Sequence, residues 1–70
     1  MRYAVVIERS ESGYSAYVPD MPGCVATGAT VERAEAAIRE AIGFHLEGLR
    51  ADGLPIPIAA SRVDYVEVAA

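Results

Sequence analysis

The 70-residue chain has no lysine, one cysteine, one histidine and no long apolar run, and each scarcity removes a class of protein. A lone cysteine rules out an internal disulfide. Together with a lone histidine it leaves too few soft ligands for a structural zinc site. The longest apolar stretches are Tyr3–Ile7 and Leu54–Ala60, the second broken by Pro55 and Pro57. Neither approaches the ~20 residues that span a bilayer. The opening MRYAVVIERS lacks the sustained apolar stretch of a secretory signal, so the expectation is a cytoplasmic protein away from the membrane. Every basic residue is an arginine, at positions 2, 9, 33, 39, 50 and 62, and these form no run. Ten acids against six arginines give a net charge of −4. That balance argues against direct nucleic-acid binding, which needs a cationic patch. No GxGxxG, P-loop, HExxH or paired CxxC is present, so phosphate, dinucleotide and zinc chemistry lack support.

What is present is a folding composition, 53% hydrophobic and 23% charged, in a length that allows one domain over residues 1–70. A chain this short buries only roughly 60% of the surface its unfolded form exposes. Its core is therefore thin, and with no disulfide or metal to reinforce it, partner chains are the expected support.

Met1–Glu8 reads as a strand with Tyr3, Val5 and Ile7 on one face and Ala4 and Val6 on the other. The polar RSESG suits a hairpin loop, and Gly13–Pro19 reads as a second strand with Tyr14, Ala16 and Val18 on one side. Pro19–Gly23 is turn chemistry with Met21 as an apolar plug, and Cys24–Gly28 is a short third strand. Thr30 is placed to cap a helix opening at Val31. Val31, Ala34, Ile38, Ala41, Ile42, His45, Leu46 and Leu49 form its apolar stripe, and acids and arginines fill the other side. Asp52–Gly53 stops the helix, the prolines of Leu54–Arg62 predict an extended connector, and Val63–Val68 reads as a final strand.

The order β-β-β-α-β predicts an α+β fold: a three-stranded antiparallel meander whose last strand crosses over to pair beside the first. The result would be a mixed four-stranded sheet in the order 3-2-1-4 with one helix on one face. One helix covers one face, so Ala4, Val6, Tyr17, Val66 and Val68 are the expected interface of a homodimer or higher homo-oligomer.

Catalytic constellations are scarce. Cys24 and His45 are the sole thiol and imidazole, and ordinary packing accounts for both. Glu8, Asp20, Glu40, Asp64 and Glu67 fit a solvated surface better than a set of converging carboxylates. No catalytic, cofactor-binding or metal residues are assigned.

Across the whole chain the pattern resembles the HicB-like antitoxin domain of HicA–HicB toxin–antitoxin pairs. The resemblance is carried by YAVVIE, by YVPDMPGCVATG at Tyr17–Gly28, by HLEGLRADGLPIP and by the closing YVEV. It implies a partial RNase H-like fold and a non-catalytic role: binding and neutralising a small basic HicA-type mRNA interferase. Asp20, Met21, Glu32, Glu35, Glu40 and Glu47 are the expected toxin contacts, since an acidic surface complements a basic partner. Longer members of that family carry a C-terminal DNA-binding module, and with two residues after Val68 none is expected here. A solo oligomeric domain without a toxin, or a degenerate RNase H-like nuclease, are the alternatives.

Overall fold

Alternating apolar residues pair into a short antiparallel meander in the computed structural model, which describes residues 1–70. Strand β1 spans Val6–Ser10, β2 Gly13–Tyr17 and β3 Val25–Gly28, and the sheet order is β1-β2-β3. The register places Ile7, Ala16 and Ala26 in one cross-strand row, and Val6, Tyr17 and Val25 in a row on the opposite face. Helix α1, Val31–Ala51, packs on the first of these faces. Ala16, Val18, Met21, Cys24, Ala34 and Ile38 form the buried core.

Helix α1 begins and ends where its local chemistry dictates. The Thr30 side chain accepts a hydrogen bond from the Arg33 N–H at 3.1 Å, satisfying one of the free donors of the first turn. At the other end Gly53 adopts a φ of 68°, open to glycine without steric cost. The Gly53 N–H donates to the Arg50 carbonyl and the Leu54 N–H to the Leu49 carbonyl, a Schellman closure. Glu35 and Arg39 form the i,i+4 ion pair that their spacing implies, at 3.0 Å.

The expected four-stranded 3-2-1-4 sheet is not formed. The structure has three strands and one helix, β-β-β-α, and Val63–Val68 pairs with none of them. Alternation makes a segment competent to be a strand but does not supply its neighbour. Here the chain is held at the connector and then leaves the body, and every residue from Ala60 onward is exposed. The first strand also begins at Val6 rather than Met1, because Val6 pairs with Tyr17, the last residue of β2. Beyond Tyr17 the chain turns: the Val18 N–H donates to the Cys24 carbonyl and the Met21 N–H to the Val18 carbonyl.

Two hydrogen-bonded points hold the connector. The Tyr3 hydroxyl donates to the Pro57 carbonyl at 2.6 Å. The Asp20 carboxylate accepts from the backbone N–H groups of Ala60 and Ser61 at 3.0 and 2.9 Å, and from the Ser61 hydroxyl at 2.7 Å. These bonds, led by the Ser61 backbone N–H, hold the Asp20 carboxyl below the usual carboxylate range.

The position of α1 rests on one close approach. A Cβ at Gly28 would lie 2.7 Å from the Arg33 carbonyl carbon and 2.8 Å from the Ala34 Cα, both backbone atoms that cannot swing aside. Helix and strand meet there because Gly28 has no side chain.

Two outcomes follow from these contacts. Gly28→Ala should lower the unfolding free energy by about 1–3 kcal/mol through overpacking. Gly48→Ala, in open space on the same helix, should raise it by about 0.5–1 kcal/mol; urea titrations of both variants check the opposite signs. The depressed carboxyl of Asp20 contributes stability that is present above the unfolded-state value and lost as pH falls below about 4. Amide exchange at Ala60 and Ser61 should therefore accelerate on acidification, beyond the intrinsic pH trend, and Asp20→Asn should abolish that extra acceleration.

Candidate functional site

The exposed side of α1 gathers most of the acids expected to contact a partner. Glu32 sits in its first turn, and Glu35 is paired with Arg39. Glu40 and Glu47, one turn to either side of Phe44, share a shallow depression with Gly43, Phe44 and Arg50. Phe44 is 66% exposed, an unusual position for phenylalanine in a small domain. It lies outside the apolar stripe of α1, so periodicity alone does not single it out. Its signal was that very offset: the one phenylalanine falls where the periodicity calls for a polar residue.

The PDMPG turn behaves differently. Met21 is buried in the core and presents no surface, and the carboxylate of Asp20 is engaged with Ala60 and Ser61. The turn thus supports the fold from within and latches the connector. The structure brings Glu40 and Glu47 together and separates them from Asp20 and Met21 in role and burial.

The expected oligomer interface is also divided. Val6 and Tyr17 are cross-strand partners, and Val25 extends their row on the face away from α1. Ala4 is half-buried just before β1, whereas Val66 and Val68 project on the exposed tail.

Cys24 and His45 line one hollow with Gly23, Val25, Ala41 and Phe44. Burial pushes the Cys24 thiol up, which disfavours the thiolate needed for nucleophilic attack. No group of three His, Cys, Asp or Glu side chains converges closely enough to hold a metal ion. No helix is long and apolar enough to cross a membrane.

An open hollow lies between the start of the chain and α1. Tyr3, Val5 and Ile7 form one wall, Ile38 and Ile42 the other, with Glu35 and Arg39 at the rim, and it encloses ≈ 470 Å³. It exists because α1 lies mainly over β3 and β2 and scarcely touches β1.

Known proteins with this pattern share it over most of the chain. An uncharacterized 14.9 kDa protein of Haemophilus phage HP1 is 42% identical over 66 residues, covering 94% of this chain and 50% of its own length. A UPF0150 protein of Helicobacter pylori is 49% identical over 49 residues, 70% of this chain and 68% of its own. This chain thus spans half the length of the phage relative. Among solved structures, a chain described as belonging to a HicA3 and HicB3 toxin–antitoxin complex superposes with a TM-score of 0.70 at 33% identity, covering 79% of this chain and 64% of that one. The family model described as the HicB-like antitoxin of bacterial toxin–antitoxin systems matches residues 3–69, and the chain belongs to that family.

Proposed function

We propose that this chain is a non-catalytic antitoxin domain that binds a small basic HicA-type toxin and neutralises it by covering its RNA-handling surface. The observation that carries the reading is the family match over residues 3–69. The acidic side of α1 adds a physical means. Carboxylates at Glu32, Glu40 and Glu47 attract and orient a cationic partner, and Phe44 supplies an exposed apolar anchor between two of them. Aromatic side chains are enriched at the cores of protein interfaces, and the surrounding rim is polar.

The same chain is proposed to self-associate, supported by the Val6–Tyr17–Val25 row that α1 leaves uncovered. The nuclease alternative draws no support from the side chains, since no carboxylate cluster converges.

Co-expression with a small basic HicA-type toxin should relieve that toxin's growth inhibition, and the two should co-purify. Phe44→Ala should weaken the complex by about 2 kcal/mol, roughly 30-fold. Glu40→Lys with Glu47→Lys should chiefly slow association and reduce its dependence on salt. Unchanged binding by all three substitutions would place the toxin surface elsewhere, and absence of any complex would end the reading.

A further inference from the structure

We infer that the segment Tyr65–Val68 of one copy adds as a strand to the open β1 edge of a second copy, seating a side chain in the groove between β1 and α1. This deepens the self-association reading above by naming the segment and the receiving site.

The first observation is the tail. Tyr65 is 97% exposed, Val66 79% and Val68 74%, and the segment alternates as a strand does without pairing to any. The chain's radius of gyration is 13.7 Å and its long axis 48 Å, whereas a compact chain of this length has a radius near about 11 Å. Three large apolar side chains held in water on a projecting arm are costly unless another surface receives them.

The second observation is the receiving site. β1 pairs only with β2, so its outer edge presents unpaired N–H and C=O groups. Beside that edge lies the groove with Tyr3, Val5 and Ile7 on one wall and Ile42 of α1 on the other, all of them only half-buried. The other sheet edge, at β3, is also unpaired but shorter, and α1 packs over that end of the core face. An added strand at β1 would turn alternate residues into the groove and onto the opposite face. Tyr65 would fill the groove, while Val66 and Val68 would extend the Val6–Tyr17–Val25 row. A segment apolar on both faces suits a position where both faces are covered.

The occupant is a second copy because the chain's own tail is already committed to another path. Ser61–Asp64 line a hollow with Arg2–Ala4, and Asp20 fixes Ala60 and Ser61, from which the tail projects outward. Reciprocal exchange of two tails is a closed, two-fold arrangement that leaves neither β1 edge free.

The test compares the full chain with Val66→Pro. Proline removes a ladder donor, and because Val66 is exposed the isolated chain loses no packing. Light scattering should show a dimer for the parent chain and self-association at least about tenfold weaker for Val66→Pro. A dimer unaffected by Val66→Pro would overturn strand exchange while preserving self-association through the sheet face, and a parent chain that stays monomeric would overturn both. Disulfide trapping supplies the second measurement. Copies carrying Tyr65→Cys mixed with copies carrying Ile42→Cys should yield a cross-linked dimer. A chain carrying both substitutions that instead closes within itself as a monomer would overturn the exchange.

Discussion

The close approach of Gly28 to the backbone of Arg33 and Ala34 is the constraint on which the rest of the arrangement depends. A two-layer domain of this size has one helix to place over three strands, and the missing side chain at Gly28 places it at the β3 end. Ala34 and Ile38 then complete the core with Ala16, Val18, Met21 and Cys24. Everything on the β1 side follows by default. Tyr3, Val5 and Ile7 are only half-buried, an apolar groove runs beside an unpaired strand edge, and the connector must be held by polar contacts instead of packing.

That asymmetry separates two surfaces with different chemistry. The outward side of α1 is acidic and carries one exposed aromatic ring, a combination suited to a basic protein. The β1 side and the uncovered sheet face are apolar and suited to a second copy of the chain. A domain whose core contains six residues would gain stability from either proposed association, because each would bury surface that folding alone leaves wet.

Much of this was legible in the sequence where local chemistry decides the outcome. Thr30 as a cap, Gly53 as a left-handed stop, Met21 as a turn plug and the meander of three strands all depend on residues within a few positions of one another. The fourth strand was not legible in this way. VDYVEV carries the alternation of a strand, but pairing is a long-range property, and the Asp20 latch directs the segment away from the sheet. The early start assigned to β1 failed for a related reason: Tyr3 and Val5 have the right pattern, but β2 turns at Val18 and offers them no partner. The acidic face of α1 was readable from spacing. Phe44 within it was not, since periodicity selects residues that face inward and says little of an apolar residue pointing out.

The central claim is that a second chain completes the β1 side, and the direct test is the concentration dependence of unfolding. For the full chain, the urea midpoint should rise steadily over a roughly hundredfold increase in protein concentration, because association with the folded state stabilises it by mass action. A midpoint that stays constant over that range would show that three strands and one helix are stable alone, and would contradict the account.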